Sequence, residues 1–233
     1  EPNALPNDLP KGIDFEDTLY ARERWGSPDK ILVIPVVGTL VMKGGGNPLV
    51  GESVKADDIL QSLERAKRRE DIAAVVLRIE SPGGELMAAE VVWREIRKLA
   101  KIKPVVASMG NVAASGGYYI AAPSNKIFAE ANTVTGSIGI FSVRPNLAGF
   151  YDWLGIRNET TKRGPNADFA EDSQPLSPEG RKRMEKSLRQ YYDTFVGKVA
   201  AGRKLKAEKA HQLAHGQVFS GAAAQQNGLV DEL

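Results

Sequence analysis

Apolar and polar positions along the chain change period several times, and each change predicts an element. The run from Ile31 to Val37 is apolar throughout, as a strand buried on both faces is. Ala56, Ile59, Leu60 and Leu63 then fall at i, i+3, i+4 and i+7, which predicts a helix with one side against a core. The cycle repeats with a buried strand over Ile72 to Ile79 and a Ser81-Pro82-Gly83-Gly84 turn. A helix follows whose inner stripe is Leu86, Ala89, Trp93, Ile96 and Leu99 and which ends near Lys101. Pro104 to Met109 predicts a third strand. Residues 110 to 122 run from a strand end into a helix of small residues with Ser115 at or near its start.

Further strand-like pieces occur at Lys126 to Ala129, Val134 to Val143 and Ile156 to Thr161. Ser177-Pro178-Glu179 opens a long helix, Ser suiting the N-cap and Pro the first helical position, with Met184, Leu188, Tyr191, Phe195 and Val199 on its buried side. Strands alternating with helices imply βαβ units, and so an α/β fold with a largely parallel sheet and helices around it. Residues 1–29, with Pro2, Pro6, Pro10 and Pro28 among mixed charges, have no sustained period and read as an extended arm or interdomain linker, which leaves 30–233 as the domain. No stretch approaches the roughly 18 apolar residues of a membrane span, and no basic-then-apolar leader pattern opens the chain. A chain that starts at Glu1 leaves room for a longer precursor with a targeting or anchoring segment upstream.

Composition narrows the chemistry. With 42% apolar and 26% charged residues, the 233-residue chain is of globular type and long enough to bury a core, which excludes collagen-like, coiled-coil and wholly disordered chains. A net charge of +2 without a dense basic block gives no indication of a nucleic-acid partner. The absence of cysteine removes disulfides, thiolate nucleophiles and Cys-ligated zinc.

Ligands of open α/β sheets bind outside the carboxyl ends of the strands, and two Gly-rich turns fall at such ends: Ser81 to Gly84 and Gly110 to Gly117. Either can be a tight turn that merely needs glycine. A serine at a helix start followed by Gly116-Gly117 nevertheless suits a nucleophile, because the helix dipole favours a developing alkoxide and small neighbours admit a substrate backbone. The N–H groups of Gly84 and Gly116 would then converge on a carbonyl oxygen as an oxyanion hole. A serine nucleophile needs a base. His211 and His215, four apart in what reads as a short amphipathic helix, are expected to be a surface or packing pair, and they lack the further ligands zinc would need. A lysine with its pKa lowered by burial is the remaining option.

Taken together, Ser81-Pro82-Gly83-Gly84, Ala113-Ala114-Ser115-Gly116-Gly117-Tyr118-Tyr119 and Thr135-Gly136-Ser137-Ile138-Gly139 resemble the signal peptide peptidase A family of Ser-Lys endopeptidases. The similarity extends from about Lys30 to the closing Gly228-Leu229-Val230-Asp231-Glu232-Leu233. The resemblance implies a Clp-protease/crotonase-like spiral of ββα units, assembly into rings or domes as a homo-oligomer, and a bacterial envelope location with the catalytic domain outside the cytoplasm. Membrane contact would come through a segment absent here. By motif position it makes Ser115 the nucleophile, Gly84 and Gly116 the oxyanion donors, and Ser137 the hydroxyl that orients the lysine. It implies hydrophobic peptides such as remnant signal peptides as substrates, and no metal or cofactor.

One position departs from the pattern. Short members of the family carry the base in a Gly-x-x-Lys-Asp segment, which here reads Gly164-Pro165-Asn166-Ala167-Asp168, and Ala167 cannot accept a proton. Lys162, at an odd offset, reads as a surface lysine. The favoured account is a split dyad: the chain is the C-terminal half of a duplicated member, and its lysine comes from an upstream domain or another protomer. A Lys-to-Ala substitution made by design and a pseudoprotease or scaffold subunit are the other accounts. A crotonase-like acyl-CoA enzyme using Glu80 or Glu85 is the alternative of a different class.

Overall fold

The computed structural model describes residues 29–43, 51–164 and 167–233; the arm expected over 1–29 lies outside the described residues except for Asp29. Strand β1 (Lys30–Val37) is followed by two short strands, β2 (Thr39–Val41) and β3 (Ser53–Lys55), which pair in parallel as a small separate sheet. Then come helix α1 (Ala56–Arg68), β4 (Ile72–Ser81), α2 (Leu86–Leu99), β5 (Val105–Ala114) and α3 (Gly116–Ala121). The chain continues through β6 (Lys126–Phe128), β7 (Val134–Gly136), α4 (Ala148–Trp153), α5 (Pro178–Arg203), α6 (Ala207–Gln212), β8 (Val218–Ser220) and α7 (Gly221–Asn227). The main sheet runs β1-β4-β5-β7-β8, with β6 also on β5; every pair is parallel except β7–β8.

The central strands β4 and β5 read as near-continuous apolar runs because helices and neighbouring strands cover them. By contrast β1, expected to be buried on both faces, is an edge strand of the sheet covered on one face only: Ile34 and Val36 are buried but Ile31 and Val33 are 65% and 56% exposed. Val75, Leu77 and Ile79 of β4 and Val105, Ala107 and Met109 of β5 are buried with Ile59 and Leu63 of α1 and Val92, Trp93 and Ile96 of α2. Helix α1 starts with Asp57 and Asp58 and ends with Arg65, Lys67 and Arg68, the charge order its dipole favours. Beyond its end the Lys103 ammonium donates to the carbonyls of Ala66 and Ile72, both at 2.8 Å, and so joins helix end to strand start.

Further expectations need correction. The strand foreseen over Val134 to Val143 stops at Gly136, because Gly136 and Ser137 both take positive φ (79° and 50°) and turn the chain out of the sheet. Ile156 to Thr161 forms no strand; it is an exposed connection with no paired partner among the described residues. Along α5 only the C-terminal half is covered: Phe195, Val196 and Val199 are buried, whereas Met184 and Leu188 are half-buried and Tyr191 is 46% exposed. The helix still begins as its sequence dictates, with Ser177 accepting from the Gly180 N–H at 3.0 Å. Among the described residues no helix is long and apolar enough to cross a membrane.

Candidate active site

The ends of β4 and β5 build the site. Their pairing is regular up to Ile79–Met109 and then slips, so that Ser81 pairs with Ala113. The extra residues of β5 are held by the Glu80 carboxylate, which accepts from the N–H groups of Asn111 at 2.7 Å and Val112 at 3.0 Å. Beyond the turn, Glu85 accepts from the Met42 N–H at 2.9 Å and ties the end of β2 to the start of α2. Both carboxylates raised by the acyl-CoA alternative are thus engaged with backbone.

Ser115 follows directly on β5, with φ 51° and ψ −116°. L residues rarely adopt this conformation, which costs on the order of 1–3 kcal/mol and persists only where the surroundings enforce it. Here its N–H donates to the Gly136 carbonyl at 2.9 Å, and its own carbonyl accepts from the Tyr119 N–H at 2.8 Å, the first bond of α3. The strained residue therefore joins a strand to a helix and lies on the wall of a cleft.

The Ser81–Gly84 turn closes on this junction at backbone contact. A Cβ on Gly84 (φ 149°) would lie 2.1 Å from the Leu40 carbonyl oxygen, and one on Gly116 would lie 3.1 Å from the Gly84 nitrogen. Leu40 holds the turn from both sides, donating to the Gly83 carbonyl and accepting from the Glu85 N–H, each at 2.8 Å. That leaves the amides of Gly84 and Gly116 beside Ser115 with no protein acceptor among the described residues. Ser137 arrives by register: Ala114–Gly136 is the last pair of β5 with β7, so the next residues, Ser115 and Ser137, emerge side by side. The Ser137 N–H donates to the Gln217 carbonyl at 2.7 Å. All four residues expected at the site, Ser115, Gly84, Gly116 and Ser137, are thus adjacent.

The cleft over them has a volume of about 940 Å³ and is also lined by Lys43, Glu85, Tyr192 and His215. A smaller recess of about 200 Å³ shares Gly84, Ser115 and Ile140 with the cleft, and Leu86, Ala89, Tyr119 and Phe195 give it apolar walls. Sequence reasoning missed Lys43 and the cleft position of His215. The two histidines do pack, as expected, with the Tyr192 ring 5.9 Å from His211 and 5.7 Å from His215. However, α6 ends at Gln212, and His215 takes a left-handed φ of 60° that turns it toward the cleft, its Nδ1 3.3 Å from the Tyr192 hydroxyl. The available signal was the Ala214-His215-Gly216 break; the Gly216 N–H bonds the Ile138 carbonyl at 3.0 Å and binds this turn to the Ser137 segment.

Ala167 is exposed and does not line the cleft. Lys162 is paired with Asp168 on the wall of a different cavity, together with Arg144 and Gln174. The hydrogen bond from Lys162 is the main reason the Asp168 carboxyl sits below its ordinary range.

Residues 97–233 match the model of "Peptidase family S49". Over 88% of its length the chain is 38% identical to "Serine protease SPPA, chloroplastic" of Arabidopsis thaliana, covering 31% of that protein. It is 37% identical to "Protease 4" of Haemophilus influenzae over 95% of its length, covering 36% of that protein. To the "Putative signal peptide peptidase SppA" of Enterococcus faecium it is 34% identical over 94% of its length, covering 63% of that protein. The chain therefore spans about a third of the first two relatives. Among solved structures, a Listeria monocytogenes ClpP1 mutant superimposes with a TM-score of 0.54 at 15% identity, covering 86% of this chain and 89% of that one. A mutant of the membrane-bound stomatin-specific protease 1510-N gives 0.56 at 14% identity, covering 88% and 80%. At those identities the likeness establishes the Clp-protease-like α/β fold alone, while the family model and the sequence relatives go further: the chain belongs to peptidase family S49.

Proposed function

We propose that the chain carries the nucleophile and oxyanion hole of a serine endopeptidase whose general base, a lysine, is supplied from outside these 233 residues. The observation that carries this reading is the strained Ser115 beside the two unpaired amides of Gly84 and Gly116. The Ser115 hydroxyl attacks the scissile carbonyl and gives its proton to the neutral amine. The two amides stabilise the oxygen as it becomes negative, and the amine returns the proton to the leaving nitrogen. Water then releases the acyl group by the same steps. Ser137 orients the amine.

The apolar recess supports an apolar side chain next to the cleaved bond. Signal-peptide remnants are such substrates, and one relative is named for them. In this reading the chain works as part of a larger assembly at a cell envelope, held to the membrane by a segment other than the described ones. The exposed Ala167 in place of the family's lysine supports an outside base.

Lys43 motivates a second reading, because its side chain lines the same cleft and an in-chain amine there would complete the dyad. Chemical rescue separates the two. With an apolar peptide substrate, the isolated chain is expected to turn over slowly, and n-propylamine is expected to raise the rate as pH approaches the amine's pKa of about 10.4, where the free base accumulates. Ser115→Ala abolishes the rescued rate; Lys43→Ala leaves it unchanged. Robust turnover without amine that Lys43→Ala destroys assigns the base to Lys43. Failure of a serine-directed phosphonate to label Ser115 under any of these conditions overturns the nucleophile itself.

A further inference from the structure

Another cavity, of about 700 Å³, lies beyond the far end of α3 and shares no residue with the cleft or its apolar recess. Its walls include Trp93 of α2 and Ser124 just after α3. Both residues are more than nine-tenths buried, at 8% and 5% exposure. The Trp93 indole Nε1 and the Ser124 Oγ are closed off from solvent and have no hydrogen-bond partner among the described residues. A buried donor left unpaired costs about 1–3 kcal/mol, and most folded proteins avoid it. Two such atoms on residues that line one cavity, each just behind its surface, mark a place where a ligand can supply what the protein withholds.

The chemistry of the wall defines that ligand. An indole N–H only donates, so the ligand must present an acceptor. Arg97, Lys101, Lys198 and Lys204 line the cavity against one acid, Asp193. Of the four cations only Lys198 has an acidic partner among the described residues, Glu90. The Lys198 ammonium lies 3.8 Å and the Arg97 guanidinium 5.2 Å from the Trp93 ring centroid, so two cations share one indole. The site therefore favours an anion. Pro123 and Ala201 give it apolar wall between the charges, with room for a compact hydrocarbon body.

We propose that this cavity is a binding site for a carboxylate on a compact apolar body, with the Trp93 N–H and Ser124 hydroxyl donating to the carboxylate and Arg97, Lys101 and Lys204 supplying the charge. Binding requires a small outward shift of the side chains that close the two donors off. The proposal does not depend on the peptidase reading, since none of these residues belongs to the cleft.

Trp93 is one of three tryptophans, so its indole N–H is one of three ¹⁵N-resolved signals, assigned by its loss in Trp93→Phe. Titration of the whole chain with N-acetyl-leucine is expected to move that signal downfield saturably, with a Kd on the order of 1 mM for so small a ligand. N-acetyl-leucinamide, which lacks the charge, leaves it in place. Ser124→Ala and Lys204→Gln each weaken binding about 3- to 10-fold with the resting spectrum otherwise retained. Sodium octanoate serves as a second carboxylate: tighter binding of octanoate assigns the site to free alkyl acids, tighter binding of N-acetyl-leucine to peptide C-termini. No saturable movement with either carboxylate, an equal movement with the amide, or an equal movement with inorganic phosphate overturns the proposal.

Discussion

Ser115 combines chemistry with strain, and the two are separable by mutation. Glycine tolerates φ 51° and ψ −116° where alanine does not, so Ser115→Gly is expected to stabilise the fold by about 1 kcal/mol over Ser115→Ala, the relieved strain exceeding the flexibility glycine adds to the unfolded chain. For a domain of this size that is a Tm difference of about 2–4 °C by calorimetry. Equal melting temperatures would mean that the backbone there is relaxed. Gly84→Ala is expected to act oppositely, since its Cβ would lie 2.1 Å from the Leu40 oxygen: the turn must open, and serine-directed labelling falls with stability. At this scale the sequence was most legible where glycine and serine stand together, because those positions answer to backbone geometry. Lys43 and His215 were illegible, since nothing local to a lysine at a strand end or a histidine after a helix tells which cleft it faces.

The elements hold the site through polar clamps that periodicity cannot reveal. Glu80 bridges the slip between β4 and β5 with both oxygens, so Glu80→Ala is expected to cost about 2–3 kcal/mol, read as a lower urea midpoint at unchanged m, and Glu80→Gln about half as much. A second clamp joins α2, α3 and α5. The Tyr119 hydroxyl donates to Glu90 at 2.6 Å, and Glu90 also holds the Lys198 ammonium. Burial alone would raise the Glu90 pKa, but the hydrogen bonds from Lys198 and Tyr119 and the charges of Lys198 and Arg94 outweigh it and bring it below the ordinary value. A carboxyl with a lowered folded-state pKa stabilises above its unfolded pKa of about 4.3 and loses that contribution as pH falls through the folded value. Acid unfolding below about pH 4 is therefore expected to be shallower in Glu90→Gln; an unchanged acid limb would assign it to other carboxylates. The central strands β4 and β5 and the Ser177 cap were readable because burial and N-capping leave local signatures, but the apolar run of β1 did not reveal that one of its faces is open, since an edge strand can carry the same residues. The excess of buried positions assigned to α5 came from periodicity alone, which records the apolar face of a helix but not how far along it the core extends.

At the scale of the whole molecule, one group of the exposed large apolar residues, among the described residues, falls close together in the chain, apart from others such as Ile31, Val33 and Ile102. Phe141 is 85% exposed, Val143 80%, Phe150 53% and Trp153 78%, with Leu154 and Ile156 nearly half exposed after them. They occupy one stretch of chain from the cleft-lining Phe141 to Ile156 just past α4, and the half-buried Met184 and Leu188 show that the first half of α5 is also incompletely covered. Exposed apolar patches often mark interaction sites, so the homo-oligomer expected from the family resemblance has a physical motive in these residues. Sequence patterning gave no access to this, because an apolar residue that meets a partner and one that meets the chain's own core carry the same periodicity. Sedimentation velocity across a hundredfold range of protein concentration is expected to show reversible self-association. Trp153→Ser and Phe150→Ser, both on the short α4 and neither part of the cleft, are expected to shift it toward the monomer with little change in Tm, since the native monomer buries neither side chain. If wild type sediments as a monomer at every concentration, the stretch is not a self-association surface, and an outside base has to come from another part of a longer chain instead of a second copy of this one.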